Sequence, residues 1–393
     1  MLDGVVGVLK WRGEGPEALE LAESTYSSRI AGLLGRELGR LEEADPAQAA
    51  AIVELLGAAD AATLRRVVLA PETSYRLLWK HLNGQDEQDL WRHLTGALEV
   101  ELARLPATSA RAPVAASAAL PAGARWSALG DAYLDGAGGE VVAQPPLAGL
   151  VVDADSPAAI HLHCGLGVGM RLRHYADPAA KQVALQKTED AMRALDVVDP
   201  MIAGFVRRFT LVANVVMDDE GERFSSGSTN QYVGRSIFWN AHLPSVDTGL
   251  VAEALVHEAI HALLDMHQLH EPWFLSAELL PDDPVVQSPW TGSPLRLEPF
   301  LQACFVWFGL SHFWAAARRR SPFAAERVER GVAATRRGFL RGPLLPRIEA
   351  HLPNIAPELR ELVRAMQEDV VRTAAGEPNP PQEAAAPTGR QLH

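Results

Sequence analysis

The sequence predicts a mainly helical α+β protein, in which an HExxH helix packs near a small sheet between N-terminal and C-terminal helical regions. Three observations predict it. Leucines recur at helical spacing from residue 15 to about residue 105. β-Branched runs punctuated by Gly and Pro occupy much of residues 140 to 240. A histidine-bearing helix and a second long apolar helix then follow, separated by a Pro-rich loop.

The run Glu17 to Glu43 places Leu19, Leu21, Ile30, Leu33, Leu34 and Leu38 near helical spacing among charges, and Tyr75 to Leu102 repeats the pattern. Between residues 107 and 123 nearly all side chains are Ala, Pro, Ser, Thr or Arg, a composition that buries little and marks a linker. Val141 to Val152 and Ile160 to Leu172 read as strands and turns. Ala179 to Leu195 reads as a helix opened by Asp177-Pro178. In the apolar stretch Met201 to Met217, the segment Leu211 to Val216 suits a strand. Ser225 to Thr229 reads as a polar loop and Gly234 to Asn240 as a short strand.

Asp247-Thr248 can cap a helix running from Gly249 to Met266, which Pro272 must end. Beyond Pro281, Pro284, Pro289 and Pro294 come helices at Glu298 to Arg320, Phe323 to Arg341 and Pro357 to Thr373. The Pro-, Ala- and Gln-rich stretch 374–393 reads as disordered. The division that follows is 1–106 helical, 107–139 linker, 140–373 metal-binding catalytic domain and 374–393 tail.

Composition narrows the function. The formal net charge of −13 leaves no surplus of Lys and Arg to neutralise phosphates, so a nucleic-acid partner is not expected. Two cysteines, Cys164 and Cys304, provide neither a disulfide framework nor a four-cysteine zinc site. The first residues lack a basic segment followed by an apolar one, and the most apolar stretch, Phe300 to Leu310, is short for a bilayer. A cytoplasmic protein without a membrane partner is the expectation.

The chemistry concentrates in His257-Glu258-Ala259-Ile260-His261. Residues four apart share a helix face, so two imidazoles so spaced can grip one ion while Glu258 stands beside it. Leu250, Ala254, Leu255, Leu263 and Leu264 make this helix largely buried, and an unliganded His-Glu-His group there is costly to solvate. His267 stands ten residues after His257, as in HExxHxxGxxH, but Leu264 occupies the glycine position. His267 and His270 therefore read as surface histidines near the helix end.

Glu298, 37 residues beyond His261, is the candidate third ligand, with Gln302 and His312 as alternatives on the same helix face. Two histidines and a carboxylate with open positions suit zinc or non-haem iron(II). Asp265 is placed to hold His261 in one tautomer. His161, His163 and Cys164 alternate on an expected strand. Arg171, Arg173, Arg235 and Arg296 are candidates for a carboxylate clamp, with Arg235 and Arg296 preferred.

Leu255 to Asp265, Ser288-Pro289-Trp290, Cys304 to Leu310 and His312-Phe313-Trp314 resemble the HExxH-motif peptide-modification proteins of ribosomal peptide biosynthesis. The resemblance covers residues 220 to 315 well and 140 to 220 loosely. It implies an iron(II)- and 2-oxoglutarate-dependent β-hydroxylase acting on a precursor peptide, with His257 and His261 as iron ligands. It also puts Trp307 where radical-enzyme-fused relatives carry a histidine, so Glu298, Gln302 or His312 would complete the shell. Two other readings use the same residues. A zinc peptidase would employ Glu258 as general base. A metal-stabilised peptide-binding protein would perform no chemistry.

Overall fold

The computed structural model describes residues 2–79, 87–105, 123–135, 140–161, 171–219, 222–275, 285–320 and 322–376. The fold is α+β and mainly helical. In chain order, α1 spans Leu2–Leu9, α2 Pro16–Ala44, α3 Pro46–Ala58, α4 Ala61–Val68, α5 Pro71–Leu78 and α6 Glu87–Arg104. Strands β1 (Arg125–Trp126), β2 (Ala132–Leu134), β3 (Val141–Ala143), β4 (Val152–Asp153) and β5 (Leu172–Arg173) follow. Then come α7 (Pro178–Val198), α8 (Pro200–Phe209), β6 (Val212–Asp218), β7 (Ser225–Gly227), β8 (Arg235–Trp239) and α9 (Thr248–Gln268). The hairpin β9 (Val285–Gln287) and β10 (Pro294–Arg296) leads into α10 (Leu297–Arg319), α11 (Ala325–Leu340) and α12 (Pro357–Ala375).

Local chemistry sets many of these boundaries. Asp45, Asp60 and Asp247 cap α3, α4 and α9, each carboxylate accepting from a backbone N–H three residues on. Proline opens α2, α3, α5, α7, α8 and α12, where its missing N–H costs the helix nothing. The segment expected as one helix over Tyr75 to Leu102 divides into α5 and α6. Two short antiparallel strands, β1 and β2, lie inside the stretch assigned to a linker, and the rest of residues 107–122 lies outside the described residues. Ser225 to Gly227, expected in a polar loop, pairs antiparallel with β8 and is buried as an edge strand. No strand forms at His161, which follows a 3-10 turn at Pro157–Ile160; His163 and Cys164 lie outside the described residues, as does the tail beyond residue 376.

The chain packs as two units, each drawn from separate stretches. One comprises Met1–Ser24, Asp190–Phe209 and Asp247–His393, and the other Thr25–Glu189 and Thr210–Val246. In the second unit, β1-β2-β3 form an antiparallel sheet against α6. A second sheet runs β4-β6-β8-β7, with parallel pairing across β4, β6 and β8 and with β5 joined to β6. Arg235 at the start of β8 is enclosed there. Its guanidinium donates to Asn214 Oδ1 at 3.1 Å, Glu72 Oε1 at 3.2 Å, and the carbonyls of Ala158 and His161 at 2.7 and 3.0 Å.

The first unit is helical around α9 and α10, with α8, α11 and α12 packed on them. Gly309 lets the two central helices approach closely, since a Cβ there would stand 2.7 Å from Ile260 Cδ1. Trp11, just past α1, donates its indole N–H to the Gly309 carbonyl at 2.9 Å and meets Phe205 of α8 edge to face. Helix α10 is long and apolar enough to cross a membrane by length and composition, contrary to the expectation from its shorter apolar core. Nearly all of that span is buried inside the protein, which is the environment of a core helix.

Candidate metal centre

Helix α9 carries the histidine motif, and nearly every residue from Gly249 to His267 is buried. His257 and His261, one turn apart, bring their Nε2 atoms to 3.2 Å from each other, with rings tilted by 50°. Two bonds of about 2.1 Å to a common ion span such a separation. The partner of the other nitrogen decides which atom of His261 is available. Its Nδ1 donates to Gln302 Oε1 at 2.6 Å, and the Gln302 amide donates to Asp265 Oδ1 at 2.9 Å. The chain of bonds fixes the His261 tautomer, leaving the Nε2 lone pair facing His257.

Gln302 reaches this position because α10 packs along α9, with Leu301, Gln302 and Phe305 buried in its first turns. It therefore acts on His261 from the side, through Nδ1, and the position of a direct ligand is not the one it holds. Asp265, expected beside His261, stands behind Gln302 in this chain of bonds. Burial pushes its carboxyl up to about 8; the Gln302 hydrogen bond opposes this, and the charges of Glu298 and Glu258 add to it.

Aromatic rings wall the other flank. Trp307 stands edge-on to His257 with centroids 6.3 Å apart and stacks on Trp290 at 5.9 Å and 8°. Trp290 comes from the turn between β9 and β10 and is anchored by its indole N–H on the Thr335 carbonyl at 3.0 Å. Sequence reasoning named Trp290 and Trp307 only through the resemblance. A tryptophan in a tight turn among Ser, Thr and Gly was the available signal.

The remaining candidates are distributed as follows. Glu258 is buried on α9 between the two histidines in sequence. Glu298 lies in the first turn of α10, close enough to Asp265 to raise its carboxyl. Among the described residues, no group of three His, Cys, Asp or Glu side chains is placed to hold a metal, so the geometry assembles the two imidazoles without a third such donor. His312 bonds Asp369 of α12 at 3.1 Å and meets Phe308 edge to face, about 15 Å along α10 from Gln302. His267 is fully buried beside Glu271 rather than a surface histidine, and burial pushes it down to about 4; His270 is exposed as expected. Arg296 occupies the N-cap position of α10 and is exposed. Arg235 belongs to the other unit, and Arg173 is paired with Asp219.

No model of a known protein family matches the chain, and no curated protein matches it.

Proposed function

We propose that His257 and His261 hold a divalent metal ion and that the chain is a cytoplasmic peptide-modifying enzyme. The favoured reaction is iron(II)- and 2-oxoglutarate-dependent hydroxylation of a side chain in a ribosomally made peptide. One observation carries the metal reading: two buried Nε2 atoms 3.2 Å apart, with the His261 tautomer set by Gln302. The resemblance of residues 220 to 315 to the HExxH peptide-modification proteins supports the choice of reaction.

The residues divide the work. His257 and His261 bind the ion, and Gln302 with Asp265 keeps the His261 lone pair directed at it. Trp307 braces the His257 ring and, with Trp290, keeps water from that flank. Arg296, at the head of α10, pairs the far carboxylate of 2-oxoglutarate. Glu258 orients the peptide beside the ion. With two protein imidazoles and open positions, iron(II) would supply activation of oxygen and 2-oxoglutarate when bound.

The test is incubation of the purified chain with candidate peptides and either zinc alone or iron(II), ascorbate and 2-oxoglutarate. A gain of one oxygen on the peptide with succinate formed, both lost in His257→Ala, is the expected result. Cleavage with zinc alone would overturn hydroxylation in favour of a peptidase with Glu258 as general base. Peptide binding with no change of mass under either condition would leave a binding protein.

A further inference from the structure

The second unit contains a groove that the two-histidine site does not use. Its walls are α5, α6 and β1, and it comprises two adjoining clefts of about 390 and 560 Å³ that share Arg92, Gly96 and Arg125. Residues from Gln88 to Glu99 of α6 line it, a length of about 16 Å at 1.5 Å per residue. That accommodates about five residues of extended chain at 3.3 Å each. The groove is long and open, a shape suited to a strand-like segment more than to a compact metabolite.

Its lining is slightly basic, with three arginines against the carboxylates of Glu72 and Glu99. The sequence carries 36 basic and 49 acidic residues, yet Arg76, Arg92 and Arg125 converge here. Arg76 is engaged by Glu72 at 2.7 Å and Asp89 at 2.8 Å. Arg92 and Arg125 are mostly exposed, with side-chain exposures of 68% and 52%, and are paired with Asp89 at 3.7 Å and with Glu99. Exposed pairs of this kind hold weakly in water and yield to a competing carboxylate that is brought close. Guanidinium forks take carboxylates two bonds at a time.

Two further features suit a peptide. Trp126 lines the groove beside its ring partner Tyr133, giving apolar surface between the charges. β1 is the terminal strand of its sheet, the position at which an extended segment can add. Gly96 keeps the middle open: a Cβ there would meet nothing within 4 Å.

We infer that this groove docks an acidic peptide segment of about five residues, held by Arg92 and Arg125 along α6 and the edge of β1. The choice of a peptide occupant rests on the reading of the chain as peptide-modifying. Docking is tested without metal, so either can fail alone.

The experiment measures fluorescence anisotropy of a fluorescein-labelled Gly-Glu-Glu-Glu-Glu-Gly peptide with the full, metal-free chain, beside the glutamine counterpart. The glutamate peptide binds, and the glutamine peptide binds at least about ten-fold more weakly. Raising salt from about 0.05 M to about 0.5 M weakens the glutamate complex at least about ten-fold. Arg92→Glu, a surface change, and Gly96→Leu, which fills open space on a helix, each produce a loss of similar size while the circular dichroism spectrum is unchanged. Should Gly96→Leu disturb the fold, Arg92→Glu alone decides. Equal binding of the two peptides, or binding untouched by Arg92→Glu, overturns the inference. So does inorganic phosphate binding in calorimetry where the peptide fails, which would assign the groove to a free anion.

Discussion

Replacing Gln302 with methionine distinguishes a tuned metal centre from two histidines that merely pack together. Methionine keeps the length and bulk of glutamine but removes the acceptor for His261 Nδ1 at 2.6 Å and the donor to Asp265 at 2.9 Å. Loss of the partner that orients a ligating histidine lowers metal affinity by about 10- to 100-fold. That corresponds to about 1.4 to 2.7 kcal/mol. A second, separate loss falls on the metal-free protein. Asp265 is 6% exposed, and a buried polar group stripped of its partner costs about 1–3 kcal/mol. Competition with a chromophoric chelator for zinc(II) and cobalt(II) reads the first loss, and urea unfolding of the metal-free chain reads the second. If Gln302→Met binds zinc as tightly as the unaltered chain while His261→Ala does not bind it, the argument from the tautomer is wrong.

Three further outcomes follow from particular contacts. Arg235→Ala leaves Asn214, Glu72 and two carbonyls without their buried donor, so unfolding free energy falls by about 3–5 kcal/mol with zinc affinity unchanged; a loss of 2-oxoglutarate binding without a loss of stability would instead mark Arg235 as a cosubstrate clamp. Gly338→Ala drives a Cβ to 2.3 Å from Trp290 Cε2, which costs about 1–3 kcal/mol in urea unfolding and disturbs the stacked Trp290–Trp307 emission. Burial pushes the Asp153 carboxyl up to about 7, so the folded state holds its proton more tightly than the unfolded state does; the contribution is fully present below about pH 3.8 and is lost as pH rises through about 7. Urea midpoints across that window fall more steeply for the unaltered chain than for Asp153→Asn, and parallel curves would contradict the assignment.

The site and the fold were legible to different depths. Helix α9 could be read almost to the residue because Asp247 is a local capping signal and the leucines and alanines keep a 3.6-residue period. Helices α10 to α12 were found within a few residues for the same reason. The role of Gln302 was not legible, since its bond to His261 joins residues 41 apart in sequence and depends on how α10 lies on α9. His267 looked like a helix-end surface residue, and only tertiary packing shows that it is enclosed. Ser225 to Gly227 is a strand despite its polar composition, because the ladder with β8, rather than propensity, holds it. Arg235 illustrates the opposite error: an arginine in an apolar segment suggests a ligand, yet its donors are spent on carbonyls and a carboxylate within its own unit.

The interleaving of the two units also sets an order of events during synthesis. The unit bearing His257 and His261 takes in residues 1–24, and Trp11 finds its carbonyl partner only at Gly309. A ribosome must therefore release nearly three hundred residues more before the first helix can dock, whereas the stretches from Thr25 to Val246 can settle earlier. Gln302 reaches His261 only once α10 has emerged, so the bond that orients this imidazole is among the last to form.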